Sequence, residues 1–181
     1  MKKTVGYVLV LLSSMVISTS CLAHSIHSGQ HISSFSEGFL HPLTGLDHIA
    51  ALILVGVFAA ISGKKVASKL LLLVSAALLV GFMAGTSWAQ ASQVESIVFV
   101  SLVLLPLSLM AYRKKGMMNY LATAAIALFS ASHGLVQGAE ARGTLIQYGI
   151  GTMLASMIVI ALTVSVTKLV IMTADSIRLA R

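Results

Sequence analysis

The stretch GFLHPLTGLDHIAALILVGVFAAI, Gly38–Ile61, decides how this chain is read. Its second half, from Ile49 onward, holds only apolar and small residues. Its first half sets His41, Asp47 and His48 at the mouth of that run, with Pro42 and Gly45 between them. An apolar run of roughly 20 residues crosses the hydrocarbon core of a bilayer as a helix. The rest of the chain has the same character. Of 181 residues, 57% are hydrophobic and 9% charged, against about 25% charged in a soluble domain. The mean hydropathy is +0.97. Too little polar surface remains to cover a water-soluble globule, so the expected fold class is all-α, a polytopic membrane helix bundle. The length suits one compact bundle.

Working outward, residues 1–23 read as a secretory signal peptide. Lys2 and Lys3 form the basic start, VLVLLSSMVI the apolar stretch, and Cys21-Leu22-Ala23 a small-residue cleavage site. The domain proper is then 24–181, and cleavage after Ala23 would place His24 at its amino terminus. An uncleaved first span is the alternative. With Cys21 alone there is neither an internal disulfide nor a cysteine metal cluster.

Five transmembrane helices are expected in the mature chain, at about 45–62, 70–88, 96–112, 117–138 and 144–167. Lipid offers no partner for an unpaired backbone group, so each must be helical. The net charge of +7 does not point to nucleic acid, because the basic residues sit in short loops between apolar runs. Lys64, Lys65, Lys69, Arg113, Lys114, Lys115, Lys168, Arg178 and Arg181 fall on one side and only Arg142 on the other. Basic loops stay inside. The amino terminus is therefore expected outside and the carboxyl terminus inside. Trp88, Tyr112, Tyr120 and Tyr148 lie near predicted span ends, where amphipathic rings settle. Gly81 and Gly85 form a GxxxG that permits close helix packing.

The acids and histidines sort by side. His24, His27, His31, Glu37, His41, Asp47, His48, Glu95 and Glu140 fall at or near the outer face, and His133 in the outer half of the fourth span. Ionisable groups at such depth are functional candidates. Pro42 and Gly45 predict a turn or broken helix, with Thr44 as N-cap of the span proper. Asp47 would then lie in the first turn, favoured by the helix dipole. The plainer reading is a capped helix start with interfacial histidines. In HGLVQGAE, His133–Glu140, helical spacing puts His133, Gln137 and Glu140 on one stripe, while Gly134 and Gly138 leave room for a neighbouring helix or a ligand. Imidazole with carboxylate suits nickel, cobalt or zinc. Ligands spread along a path suit a metal that binds and leaves.

At these motifs the chain resembles the HupE/UreJ family of nickel permeases, small bacterial membrane proteins associated with hydrogenase and urease. The resemblance lies in His41-PLTGL-Asp47-His48, in His133-Gly134-LVQ-Gly138-Ala139-Glu140, and in Glu95 opening the third span in QVESIVFVSLVLL. It runs from the signal peptide through the fifth span. The family's second motif usually carries a further His where this chain has Gln137, and family members commonly have one more span.

The expected function is a secondary permease for a divalent transition metal, nickel first and cobalt next, with no permanently bound cofactor. His24, His27 and His31 would gather metal. His41, Asp47 and His48 would form the selective site, with Glu95, His133 and Glu140 extending the path. There is no ATP-binding motif of its own. The partners are the metal ion and the bilayer, and the small size leaves homo-oligomerisation open. The rival readings are an intramembrane zinc hydrolase, with Ser132 or Glu140 assisting, and a metal-binding accessory protein that moves nothing.

Overall fold

The computed structural model describes residues 34–88 and 92–179. The expected signal peptide, with Cys21, and His24, His27 and His31 fall outside the described residues, as does the side chain of Glu95. Among the described residues every regular element is a helix: α1 Ser34–Thr44, α2 Leu46–Ala60, α3 Lys64–Gly85, α4 Ser92–Ala111, α5 Met117–Ala139 and α6 Leu145–Leu179. The all-α expectation holds.

Three of these, α3, α5 and α6 as far as Ile177, are long and apolar enough to cross a membrane. The α1–α2 pair, bent by 73°, makes a fourth if it is one broken span. The expected third span corresponds to α4, whose apolar part Ser96–Ala111 falls short of 18 residues. The chain is thus a multi-pass membrane protein with three to four such spans among the described residues, and a count of five there rests on adding α4. The tail expected after residue 167 is continuous with α6. That helix has 35 residues, about 52 Å at 1.5 Å per residue, so it outruns a hydrocarbon core of about 30 Å.

Of the three long spans, α5 is the most buried. Its span is 56% buried, against 28% for α3 and 17% for α6. Sequence explains why α3 and α5 lie so close. A Cβ on Gly81 would strike the backbone of Ala131, and one on Gly85 the backbone of Leu135 and Ala139. Reciprocally, a Cβ on Gly134 would strike Leu78 and Phe82, and one on Gly138 the Phe82 carbonyl. Two small-residue ridges therefore interlock, giving backbone contact where lipid supplies no hydrophobic drive. The α1–α2 pair follows α6 in the same sense. Gly38 lies against Tyr148, and Gly56 against Ile160 and Thr163. The Thr144 N–H donates to Ser34 Oγ at 2.9 Å, tying the start of α1 to the start of α6.

Two local expectations change. Thr44 is not an N-cap. Its hydroxyl turns back to the Leu40 and His41 carbonyls, both at 3.2 Å, and Gly45 takes the N-cap position without a side-chain cap bond. Helix α1 continues through Pro42 to Thr44, so Thr44 closes one helix instead of opening the next. Tyr148 is not an interfacial ring. It is 3% exposed, because α1 lies across it and its ring stacks on Phe82 at 6.3 Å. Trp88 and Tyr120, at 45% and 73% exposed, keep the edge positions expected of them.

Candidate metal site

The site is built where α1 breaks into α2. Pro42 removes one backbone donor from the last turns of α1. A single extended residue, Gly45 at φ −81° and ψ 112°, then separates the two helices. Any residue can adopt that conformation; space is what favours glycine. A Cβ there would lie 3.1 Å from both Asp47 Oδ1 and His48 Nδ1. The break brings the last turn of one helix and the first turn of the next to the same point. His41 and His48, seven residues apart in sequence, thereby come to a ring separation of 5.2 Å, edge to face.

The second motif meets the first there. The ring of His133, on α5, lies 4.9 Å from that of His48, again edge to face. Asp47 Oδ1 is 3.1 Å from His48 Nδ1, near enough for an ion pair but off the line of a hydrogen bond. Glu140, at the C-cap of α5, reaches His41, with Oε2 3.7 Å from Nδ1. The expected stripe His133, Gln137, Glu140 is therefore real. Its two ends, seven residues or about two helical turns apart, address His48 and His41.

One ligand atom from each of Asp47, His48 and His133 lies within 4.8 Å of the others. His48 and His133 are buried, and Asp47 is partly open. Buried polar atoms are ordinarily hydrogen-bonded, and each orphan costs free energy. Here His41 Nε2, both nitrogens of His48, His133 Nδ1 and Gln137 Oε1 are buried with no hydrogen-bond partner. A cation held here would supply the partner that these nitrogen and oxygen donors lack within the protein. The helix ends help. Carbonyls at the end of α1 favour a cation, while Asp47 in the first turn of α2 offsets the positive end of that helix.

Below the cluster lies a cavity of about 20 Å³, lined by His48, Ser130, His133 and Gln137 on its polar side and by Leu52, Val55, Val74, Leu78 and Leu105 on the other. Beyond it the core is shut: Leu70, Leu109 and Ile126 are 0% exposed. The donors thus run from a partly open mouth at Glu140 and His41 to a closed inner end.

The structure gathers His41, Asp47, His48, His133 and Glu140 from the expected set. Glu95 falls in the first turn of α4. Ser132, the assistant of the hydrolase reading, instead donates to the Leu128 carbonyl of its own helix at 2.8 Å. Sequence reasoning passed over Ser101 and Tyr148. Ser101 Oγ lies 3.0 Å from His133 Nε2, and the Tyr148 ring 6.0 Å from that of His41. The only sequence signal for Ser101 is a lone hydroxyl inside an apolar run, which more often serves its own helix backbone.

A broken helix set against a glycine-zipped pair, with imidazoles and carboxylates at their junction, is an arrangement that could hold a metal ion in a multi-pass membrane protein. The comparison with protein families agrees: the HupE / UreJ protein model matches residues 11–180. The chain belongs to the HupE/UreJ family, which implies a nickel or cobalt transport or accessory role. No curated protein and no solved structure matches it.

Proposed function

We propose that the chain is a secondary permease that carries a divalent transition metal, nickel before cobalt, into the bacterial cell through the inner membrane. One observation carries the reading: ligand atoms of the partly open Asp47 and the buried His48 and His133 converge within 4.8 Å, with ring nitrogens left unpartnered. Two imidazoles and a carboxylate suit a borderline cation over calcium or magnesium, which take mostly oxygen. The absence of thiolates suits exchange over permanent retention.

In this reading the ion enters at Glu140 and His41, sheds water against them, and passes to Asp47, His48 and His133. The amino-terminal His24, His27 and His31 gather it upstream, and Glu95 extends the path. Ion sites at broken helices recur in secondary transporters, where irregular backbone is tolerated because it lines a cavity. Release needs the plug of Leu70, Leu109 and Ile126 to part, and the single-residue break at Gly45 is the natural hinge.

The test is uptake of radioactive nickel by cells lacking their own nickel importers. The intact chain is compared with His41→Ala, Asp47→Ala and His133→Ala at matched membrane levels. Uptake by the intact chain, lost in all three variants, is the expected result. A well-expressed intact chain that imports neither nickel nor cobalt would defeat the permease reading. If that protein still bound metal, it would leave an accessory role.

A further inference from the structure

We infer that Ser101 is a positioning residue that fixes the tautomer of His133, so that its Nδ1 is the nitrogen offered to the metal. The inference rests on the metal site proposed above and adds a member from a helix that contributes no ligand among the described side chains. Ser101 sits in the middle of α4, 0% exposed. Its hydroxyl donates to the Val98 carbonyl at 2.5 Å, and its oxygen lies 3.0 Å from His133 Nε2. A hydroxyl has one proton and two lone pairs. With the proton committed to Val98, only a lone pair faces the imidazole. The partner that satisfies it is an Nε2–H.

A neutral imidazole carries one proton. With that proton on Nε2, Nδ1 holds the free lone pair. Nδ1 is also the His133 atom that is buried without a partner, on a ring 4.9 Å from His48. The opposite tautomer would fail twice. It would set the Ser101 and His133 Nε2 lone pairs against each other unless Ser101 abandoned Val98. It would also leave a buried N–H on Nδ1, where no hydrogen-bond acceptor meets it. A metal-binding histidine usually donates its other N–H to an oxygen that holds the ring and its tautomer. In most sites that oxygen is a carboxylate or backbone carbonyl; here a back-bonded serine supplies it from deep in an apolar helix. The hydroxyl is neutral, so it orients the ring without adding charge at depth.

The full-length chain, labelled with ¹⁵N-histidine and held in nanodiscs without metal, tests this directly. Two-bond ¹H–¹⁵N correlations distinguish Nε2–H from Nδ1–H, and His133→Gln assigns the signals. The expected result is Nε2–H for His133 in the intact chain, a mixture in Ser101→Ala, and recovery in Ser101→Thr, which keeps the oxygen. Titration with Ni²⁺ should show Ser101→Ala binding about 10–100-fold more weakly, the usual cost of losing an outer partner of a metal ligand. An Nδ1–H signal in the intact chain would overturn the inference without any variant having to fold. So would unchanged Ni²⁺ affinity in Ser101→Ala while His133→Ala binds weakly. If Asp47→Ala, His48→Ala and His133→Ala all bind Ni²⁺ as the intact chain does, the metal site itself is wrong and the role of Ser101 falls with it.

Discussion

At the scale of the residue, depth divides the labour among the histidines. His48 and His133 are 5% and 4% exposed, and with Asp47 they bring ligand atoms within 4.8 Å of one another. His41 stands one step outward, 18% exposed and paired with Glu140. Binding and passage should therefore separate. Losing an outer partner already costs 10–100-fold, so losing Asp47, His48 or His133 to Ala should weaken equilibrium Ni²⁺ binding by at least about 100-fold. His41→Ala should weaken it by less than about tenfold, or under 1.4 kcal/mol, yet still lose uptake. Calorimetry on the purified variants beside cellular uptake checks both halves; equal losses of affinity at all four positions would mean one undivided site. Much of this was legible in the sequence, because charged and ionisable residues in so apolar a chain are few and each must be accounted for. What the sequence could not show was which nitrogen is free and which is held. That depends on Ser101 reaching across from another helix, and nothing in VFVSLVLL distinguishes a serine that bonds only its own backbone from one that also meets an imidazole.

At the scale of the element, the decisive device is the double glycine ridge. Gly134 and Gly138 interleave with His133 and Gln137 on α5, so one helix turns its small face to α3 and its ligand face to α2. Packing and site geometry are then one problem. A Cβ on Gly134 would meet the Leu78 carbonyl and the Phe82 amide nitrogen, which are backbone and cannot swing aside. Gly134→Ala should cost about 1–3 kcal/mol through overpacking. It should also push α5 from α3 and displace the neighbouring His133. The expected outcome is a lower melting temperature in detergent together with weaker Ni²⁺ binding. A variant that melts lower but binds normally would show that the ligands adjust independently of the ridge. The spacing of both glycine pairs was visible in the sequence, but their pairing with each other was not, since a GxxxG names a face without naming its partner. The misplacement of Thr44 and Tyr148 has a similar cause. Local rules see a Thr before a helix and a Tyr near a span end. They do not see that α1 persists through Pro42 and lies over α6, which turns the first into a C-terminal residue and buries the second.

At the scale of the whole molecule, the two ends differ in kind. Lys64 and Lys65 begin α3, and Arg113, Lys114 and Lys115 lie between α4 and α5, all exposed at the end away from the ligand cluster. Glu140, His41 and the partly open Asp47 mark the other end. In the proposed import direction, basic loops held in the cytoplasm would leave the mouth of the site facing outward and the apolar plug between site and cell interior. This polarity matches the energy available to a chain with no nucleotide-binding motif. An inside-negative potential is worth about 2.3 kcal/mol per charge for each 100 mV, so a dication carried alone gains about 4.6 kcal/mol. At 1.4 kcal/mol per decade, the accumulation ratio should rise tenfold for about every 30 mV. Proteoliposomes holding the full chain, with a potassium diffusion potential set by valinomycin, read this slope from radioactive nickel retained at steady state. A slope near that value means the ion moves uncompensated and the membrane potential alone drives it. A flat response to potential, with accumulation that instead follows an imposed proton gradient, would mean that two protons leave for each ion that enters. The unpartnered imidazoles along the path would then be carriers of the counter-ion as well as ligands for the metal.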